Sequence, residues 1–543
     1  MRFETTDNRK ILINTTIIKG GSVTASATSL SISFLLSALT VCGFLVASEQ
    51  IAHWFVIPVL LCGVLAGWDA VDGLRGRMDL FDPATLIGLF CFHFFFLAPL
   101  LHVGCDSWTV HYIEPPADWR DWLGGMAFVN AGGLLLYRVA RQRAAAWGRN
   151  TSSTTIWRPE RRRLFWGVSV GLLVSVALQA WVYTRAGGIS GFVDAYTASI
   201  TAPPSQAGFA GMGWIFMLSE SAPILVMICY ATYVERTGIA RSQPVILLVL
   251  FGFFVLRMLF GGLHGSRSNT IWALLWAAGI IHFWVRPLSR TFVFAGVCFL
   301  VAFMYFYGFY KNHGSDALSV FKESSSSAES DTDWKQIVLG DLGRADVQAF
   351  ILYRLSMRDR DYQYAWGRTY LASLSLFIPR AIWPDRPPLK VKEGTEALYG
   401  AGTYVEDEWW SSLVYGLGGE TMLNFGPVAV PFAYLVFGLL VGRLQRFLWK
   451  LHRGDTRLLL YPFLFIICFM ALQHDSDNLL FTFVKEGFVP GLVVLFGSRV
   501  LACSKEAHRR THTSSLGEES LRTGSRFAEA SHSLSYAPAH LIT

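Results

Sequence analysis

Twelve apolar runs divide the chain, and charged residues or Pro and Gly separate them. The runs cover residues 29–47, 51–68, 83–103, 121–140, 164–184, 212–234, 243–263, 269–285, 290–310, 426–444, 458–474 and 480–500. A bilayer core needs about 20 apolar residues per helix, and most of these runs are apolar on all faces rather than on one side. The pattern predicts an all-α polytopic integral membrane protein with about 12 transmembrane helices.

Composition agrees with a membrane location and argues against several partners. Of the 543 residues, 52% are hydrophobic and 16% are charged, whereas a soluble domain carries about 25% charged residues. The net charge of +7 comes from Lys and Arg that flank the apolar runs, so we expect the lipid bilayer as a partner and no nucleic acid. The eight cysteines stand far apart without a CxxC spacing, which predicts neither disulfides nor structural zinc. We expect no metal and no cofactor.

The distribution of Lys and Arg predicts the orientation of the helices. If both termini are cytoplasmic, 29 of the 46 Lys and Arg residues lie in cytoplasmic segments, and the short outer loops hold Arg120, Arg185 and Arg267 only. Such a bias is typical of membrane proteins. The predicted divisions are a cytoplasmic N-terminal segment (1–28), nine transmembrane helices (29–310), a large periplasmic loop with interfacial helices (311–425), three further transmembrane helices (426–501) and a disordered cytoplasmic tail (502–543).

Four segments on the outer side differ in composition from the apolar spans and from one another. Residues 185–211 are too polar to span a membrane and are predicted to form an outer loop. Residues 314–331 are rich in serine and acids and predict a mobile loop, whereas 332–357 predict an amphipathic helix. Residues 369–379 are apolar but too short to span, which indicates an interfacial or re-entrant helix ended by proline.

Ionisable side chains interrupt the apolar runs at three places. These are Glu220, Arg257 and the pair Lys485–Glu486, and all lie in the outer half of their predicted helices. Glu220 and Arg257 lie at similar depth, so we expect that they can pair. Two interpretations remain open: a structural salt bridge between helices, and a polar cavity that opens to the outer face, in which Arg257 contacts substrate.

The sequence Gly-Ser-Arg-Ser at 265–268 stands at the mouth between two predicted helices. Glycine lets a ligand approach the backbone, and the Arg267 guanidinium can bind phosphate through two parallel hydrogen bonds. A tight turn with an arginine that extends to the interface explains the same residues. His264 precedes this turn; it is either a hydrogen-bonded residue at a helix end or a substrate contact.

The run Ile-Pro-Arg-Ala-Ile-Trp-Pro-Asp-Arg-Pro-Pro at 378–388 places two cations beside a tryptophan. Arg380 and Arg386 flank Trp383 and Asp385, and four prolines stiffen the segment. An indole stacks on the C–H face of a sugar, and a guanidinium pairs with phosphate, so this composition suits a phosphorylated sugar. A proline-rich surface loop with an interfacial tryptophan is the alternative, but it does not account for both arginines.

A third motif, Gly-Gly-Glu-Thr-Met-Leu-Asn-Phe-Gly at 418–426, lies where the chain re-enters the membrane. A carboxylate in such a partly desolvated mouth has a raised pKa, so Glu420 is our candidate general base and Asn424 a candidate substrate contact. An acidic residue that interacts with a helix N-terminus is the alternative role. The turn at 474–477 (His-Asp-Ser-Asp) could reach the same mouth, either as a metal site or, more commonly, as helix-capping residues.

These motifs resemble a known family of membrane enzymes. Together with the stretch from Asp341 to Asp346 and the order of spans over residues 30–500, they resemble the Wzy-type polymerases of O-antigen and exopolysaccharide repeat units. Family members often carry lysine before a later proline of the Ile-Pro-Arg motif; Arg386, which precedes Pro387, keeps the charge.

The resemblance implies a fold, a reaction and partners. It implies a lipid-donor glycosyltransferase in the bacterial inner membrane, which transfers glycan from undecaprenyl pyrophosphate to the non-reducing sugar of another lipid-linked repeat unit. Arg267 and Arg380 would stabilise the departing pyrophosphate and Glu420 would accept the proton of the acceptor hydroxyl. Arg386, Trp383, Asp385, His264, Arg257 and Asn424 would complete the substrate site. Further implied partners are a chain-length regulator and a flippase.

Three other functions remain open on sequence grounds. An O-antigen ligase uses the same donor and a lipid A acceptor, and sequence separates it poorly from a polymerase. A flippase or other polysaccharide transporter is expected to show internal repeats and helices broken near the midplane. Under a third reading, a structural membrane scaffold, the outer arginines should tolerate alanine.

Overall fold

The computed structural model describes residues 26–110, 113–147, 155–201, 212–237, 241–263, 267–313, 335–357, 362–378, 382–405 and 413–502. Over these ranges the chain is almost entirely helical. The first six helices are α1 Ala27–Ala47, α2 Val56–Leu74, α3 Pro83–Phe92, α4 Ala98–Gly104, α5 Trp119–Ala146 and α6 Arg161–Arg185. A π-helical turn, His93–Leu97, joins α3 to α4.

The remaining elements follow in two groups around the long polar segment. The next six helices are α7 Gly188–Thr201, α8 Gly213–Ser219, α9 Ala222–Thr237, α10 Gln243–Arg257, α11 Arg267–Ile280 and α12 Arg290–His313. After them come α13 Ala345–Ser356, α14 Arg368–Ser375, α15 Lys390–Tyr399, α16 Gly416–Phe425, α17 Val430–Trp449, α18 Arg457–Gln473 and α19 Ser476–Phe496. Two short strands, β1 Thr155–Pro159 and β2 Ser498–Ala502, complete the described elements.

The prediction of a polytopic helical membrane protein is confirmed. In the described ranges, eleven helical segments are long and apolar enough to cross a membrane. They are Ala27–Ala47, Val56–Leu74, Pro83–Gly104, Trp119–Ala146, Arg161–Arg185, Gly213–Glu235, Gln243–Gly262, Arg267–Val285, Arg290–Gly308, Pro427–Trp449 and Ser476–Phe496. The twelfth predicted run forms α18, whose 17 residues extend only roughly 26 Å, so it is shorter than the others.

The packing of α1 shows how such a helix meets lipid and protein. Its buried face carries Ser29, Ser33 and Ser37, whereas Phe34 and Leu35 are exposed. This arrangement is the reverse of a soluble amphipathic helix, because small polar residues let helices approach each other while apolar residues face the acyl chains. The distribution therefore supports a lipid environment for the exposed apolar surface.

Helices α5 and α17 pack against each other closely along much of their length. Gly438 and Gly442 of α17 lie against the backbone of α5, where an added methyl group would clash with the carbonyls of Tyr137 and Arg141. Glycines four residues apart permit this close approach of two backbones. The pair runs from the polar segment at one end of the bundle to a cluster of arginines at the other.

Structure and prediction differ in the connections. The segment 185–211, predicted as an outer loop, contains the helix α7. The amphipathic helix predicted at 332–357 is realised as a π-helical turn, Gln336–Asp341, followed by α13. The short helix predicted at 369–379 is present as α14, and the predicted mobile loop at 314–331 lies outside the described residues.

A two-stranded antiparallel sheet was not predicted. Strand β1 pairs with β2 with Trp157 opposite Val500, which joins the start of α6 to the end of α19. Asp455 stabilises this junction, because it accepts the backbone N–H of Trp157 at 3.2 Å and pairs with Arg457 at 2.7 Å. The sheet therefore fastens the ends of two spans that are far apart in sequence.

Candidate functional site

A buried carboxyl group lies where the polar segment meets the bundle. Glu420 is on α16, directly before the span that contains α17, and it is only 3% exposed. Its Oε1 accepts hydrogen bonds from the Thr369 hydroxyl at 2.7 Å and the Ser476 hydroxyl at 2.6 Å, and its Oε2 accepts the Ser476 backbone N–H at 2.7 Å. Helices α14 and α19 thus fix the carboxyl group from two sides.

The environment of Glu420 places its titration close to neutral pH. Burial raises its pKa and the nearby Asp475 carboxylate raises it further, whereas the bonds from Ser476 and Thr369 act in the opposite direction; the pKa is about 7. A carboxyl group with this pKa can both accept and return a proton under physiological conditions. The predicted raised pKa of Glu420 is therefore supported by its surroundings.

A buried ion pair supports the floor of this site. Asp475 is fully buried, and its Oδ1 accepts the backbone N–H groups of Tyr415 at 3.0 Å and Gly416 at 2.8 Å. Its Oδ2 accepts a hydrogen bond from the Lys390 ammonium, which also lies 3.6 Å from Asp477. Burial opposes the charge on Lys390, but these two carboxylates outweigh it and raise its pKa.

The turn at 474–477 does reach the mouth that contains Glu420, as predicted. Of the two roles considered for this turn, metal binding and helix capping, its contacts support capping, because its carboxylates bind an ammonium group and accept backbone N–H groups. Burial, together with the positive charges of Arg344 and Lys390, lowers the pKa of His474 to about 3. This imidazole is therefore neutral at physiological pH.

Asn424 positions the group that binds Glu420. Its Nδ2 donates to the Thr369 hydroxyl at 2.7 Å and to the backbone carbonyl of Glu420 at 2.8 Å, and its Oδ1 accepts the N–H of Gly367 at 2.9 Å. Asn424 is fully buried. These contacts describe a positioning residue, and its assignment to substrate binding stays a prediction.

The rim of the site exposes an aromatic ring and a cation. Trp366 has a left-handed backbone (φ 47°), is 74% exposed, and lies 6.3 Å from the ring of Phe425. Such a backbone costs about 1–3 kcal/mol outside glycine and is often found at functional positions. Arg368 is 53% exposed and pairs with the buried Glu393 at 3.1 Å. An exposed ring and a guanidinium are therefore within three residues of Thr369, whose hydroxyl binds the buried carboxyl group.

The proline-rich motif is only partly described. Arg386 donates through Nη1 to the carbonyls of Ile378 at 3.2 Å and Ser375 at 3.5 Å, so it caps the end of α14. Trp383 is half-buried and Asp385 is exposed. Arg380 lies outside the described residues. The contacts of Arg386 explain its location without a ligand, and its predicted role in substrate binding remains untested.

The structure describes Arg267 and Ser268 of the Gly-Ser-Arg-Ser turn. Arg267 begins α11 and its Nη1 donates to the carbonyl of Met304 on α12 at 3.2 Å. The described contacts do not join it to Glu420, whose partners are on α14 and α19. His264 lies outside the described residues. The predicted grouping of Arg267 with Glu420 therefore stays a prediction.

Arg257 belongs to a buried ionic network. Its Nη2 lies 2.8 Å from Glu486 and 3.3 Å from Glu220, and the Lys485 ammonium lies 2.9 Å from Glu220. The predicted pairing of Glu220 with Arg257 is confirmed, and two cations balance two carboxylates. This agrees with the structural interpretation, while a contact between Arg257 and substrate stays a prediction.

Two helices break next to this network. Helix α8 ends at Ser219 and α9 begins at Ala222, and the Ser175 hydroxyl donates to the carbonyl of Ser219 and accepts the N–H of Ala222 at 3.1 Å. After α10 the backbone turns at Gly261, with φ of 112°. Glycine is favoured there because a side chain strains this conformation and would clash with the Glu220 carboxyl group.

Sequence reasoning did not single out Thr369, Lys390 or Arg368. Lys390 follows the proline-rich motif but lies 85 residues from Asp475, and nothing in that spacing marks the pair. Thr369 carries an ordinary hydroxyl in a short apolar stretch. Only the run Arg-Thr-Tyr at the start of the predicted re-entrant helix offered a signal, since Arg368 is a cation directly before that helix.

Comparisons of the chain with protein-family models, with curated proteins and with solved structures find no match in any of the three.

Proposed function

We propose that this chain is a membrane glycosyltransferase that polymerises undecaprenyl-pyrophosphate-linked oligosaccharide repeat units on the outer face of the bacterial inner membrane. The observation that carries the proposal is the location of Glu420. It is a buried carboxyl group with a pKa of about 7, at the end of a helical membrane bundle and beside an exposed indole and a guanidinium.

The reaction requires one proton transfer and one leaving group. The acceptor hydroxyl oxygen bonds to the anomeric carbon of the donor sugar, the bond from that carbon to the pyrophosphate oxygen breaks, and undecaprenyl pyrophosphate departs. Glu420 takes the hydroxyl proton. Positive charge at the rim stabilises the departing diphosphate, and no metal or cofactor is required.

Ser476 provides a route for that proton. Glu420 is buried, whereas Ser476 is half-buried, and its hydroxyl lies 2.6 Å from Glu420 and 2.7 Å from the Ser373 hydroxyl. A hydroxyl group both donates and accepts, so it can pass a proton from substrate to the carboxylate behind it. The acceptor then needs to approach Ser476 rather than Glu420 itself.

The rim residues fit the two halves of the substrate. The exposed ring of Trp366 offers a surface for the C–H face of a sugar. Arg368, half-exposed beside Thr369, is a described cation for the diphosphate, in addition to Arg267, Arg380 and Arg386. The polyprenyl chain would lie among the apolar helices, as its length requires.

Two alternatives keep part of this chemistry. An O-antigen ligase would use the same donor and the same base, and a deletion strain separates the two: loss of a polymerase leaves one repeat unit on lipopolysaccharide, and loss of a ligase leaves none. A transporter is favoured by the broken helices at Glu220 and Gly261, since discontinuous helices form substrate sites in transporters. The breaks are bridged by ion pairs and hydrogen bonds, which agrees equally with a structural role.

The decisive experiment is polymerisation in vitro with purified protein and a defined lipid-linked repeat unit, with and without chelator. Wild type should form polymer, and Glu420→Gln should form none while remaining folded in the membrane. Glu396→Gln is the matched control, because Glu396 is a half-buried carboxyl group on α15 in the same outer segment. Full-length polymer from Glu420→Gln would refute the assignment. Translocation of the lipid without chain growth would favour the transporter.

A further inference from the structure

An arginine-lined cleft lies at the end of the bundle opposite Glu420. It has a volume of about 490 Å³ between the end of α5 and the second half of α17, and its lining consists of Arg143, Ala144, Trp147, Leu439, Arg443 and Arg446. Helix α17 runs from the outer segment, next to Glu420, to this cleft, so the two sites are separated by the length of a span.

The walls of the cleft are held rigidly. Gly438 and Gly442 keep α17 in backbone contact with α5 directly beside Leu439 and Arg443 of the cleft. The Arg446 guanidinium donates to the carbonyl of Trp147 at 2.6 Å, which fixes the end of α5 against α17. A ligand would therefore meet a site that needs little ordering on binding.

Within the part of the chain that the structure describes, no carboxylate balances the charge of the cleft. None of its three arginines forms an ion pair with a carboxylate among the described residues, and the lining contains no carboxylate. Two neighbouring arginines on α5 behave differently: Arg138 and Arg141 both bind Asp69, at 2.6 and 2.8 Å. Among the described residues, α5 thus has ion-paired arginines in its interior and one arginine without a carboxylate partner, Arg143, at its end.

General preferences account for arginines at this end but not for their convergence. Cations favour the C-terminal ends of helices, and membrane proteins carry positive charge on the cytoplasmic side. Neither effect requires three guanidinium groups from two helices to line one cavity with an exposed tryptophan and a leucine. Trp147 is 75% exposed, and with Leu439 it supplies an apolar wall next to the cationic one.

We propose that this cleft binds the headgroup of an anionic phospholipid from the leaflet at the basic end of the bundle. Guanidinium groups bind phosphate oxygens through paired hydrogen bonds, and basic pockets between transmembrane helices are suited to lipid headgroups. The apolar wall contacts the glycerol and the first acyl carbons. The site is separate from the proposed transferase site and takes a different ligand.

The test uses the purified full-length chain in detergent, freed of native lipid. The thermal unfolding temperature is followed during titration with dihexanoyl phosphatidylglycerol, dihexanoyl phosphatidylcholine or inorganic phosphate. Saturable stabilisation by the phosphatidylglycerol alone supports the proposal. Equal stabilisation by both lipids overturns it, and saturation by inorganic phosphate at the same concentration shows a free-anion site instead.

Variants connect the binding to the cleft. Arg143→Gln with Arg443→Gln should weaken phosphatidylglycerol binding about 25-fold, at about fivefold for each arginine removed. Both side chains are exposed, and Arg443→Gln alone serves if the double variant does not fold. Arg162→Gln, which removes an exposed arginine at the start of α6, is the matched control and should bind phosphatidylglycerol normally. Unchanged affinity in the Arg443→Gln variant overturns the site.

Discussion

The buried carboxyl group of Glu420 makes a quantitative prediction about pH. Its pKa rises from the ordinary 4.5 to about 7 in the folded chain, chiefly through burial and then through the Asp475 carboxylate. A shift of that size corresponds to about 3 kcal/mol of preference for the protonated form. The stabilisation is fully present below the unfolded pKa of 4.5 and is lost as pH rises through about 7.

Glu420→Gln removes this titration while it keeps the shape of the side chain. The glutamine carbonyl can accept the Ser476 N–H, and its amide can donate to the hydroxyls of Ser476 and Thr369, because both hydroxyls can also accept. The variant should therefore gain about 3 kcal/mol relative to wild type when the pH is raised from below 4.5 to above 7. The gain concerns the difference between the two proteins, so titrating groups that do not interact with Glu420 cancel.

The measurement is the free energy of unfolding of both proteins, from SDS titration in mixed micelles at low and high pH. If the difference in unfolding free energy between variant and wild type stays constant with pH within about 0.5 kcal/mol, Glu420 does not have a raised pKa in the folded state. In the enzymatic assay, kcat/KM of wild type should rise with pH to a plateau above about 7, because a general base acts when it is ionised.

Three further predictions concern the surrounding residues. Lys390→Met should destabilise the fold by about 3–5 kcal/mol, because it leaves Asp475 buried without its cation, and Lys390→Met with Asp475→Asn should recover more than half of that loss in SDS unfolding. Ser476→Ala should lower kcat at least about 100-fold, as expected for a lost proton relay. Its free energy of unfolding should stay within about 1.5 kcal/mol of the wild-type value. Trp366→Ala should raise KM for the acceptor about tenfold at unchanged kcat in the polymerisation assay.

Each of these has a clear contrary result. A double variant less stable than Lys390→Met alone would show that the ammonium and Asp475 do not depend on each other. Normal turnover in Ser476→Ala would leave Glu420 without its relay. If Trp366→Ala lowers the amount of protein in the membrane but leaves KM unchanged, the indole is an interfacial anchor rather than a sugar contact.

The sequence was informative where one physical effect dominates. Long apolar runs locate spans because each must cross a hydrocarbon layer of fixed thickness, and α18 was also found although it is shorter. Glu420 was singled out because it precedes a span, where a carboxylate is partly desolvated. Pairing across long separations could not be predicted in the same way, since Lys390 and Asp475 become neighbours only through packing of α15 against the start of α19.

Residue type alone did not predict the contacts of Arg386. Arg386 resembled a phosphate ligand, and in the structure it donates to carbonyl groups at the end of α14. The last carbonyl groups of a helix need hydrogen-bond donors, and the composition of a proline-rich motif does not show that Arg386 supplies them. The broken helices at Glu220 and Gly261 were hidden for a related reason: both lie inside continuous apolar runs, where hydropathy does not register a change of backbone direction.

Helix α19 carries residues of two different clusters. Ser476 stands at its first position, and Lys485 and Glu486 lie nine and ten positions later, roughly 14 Å deeper along the axis. Ion pairs with Glu220 and Arg257 resist both sliding and rotation of this helix. The ion pairs of Lys485 and Glu486 therefore help to hold the Ser476 hydroxyl against the Glu420 carboxyl group. A substitution that removes one of these charges would let α19 move along its axis and would displace Ser476 from Glu420.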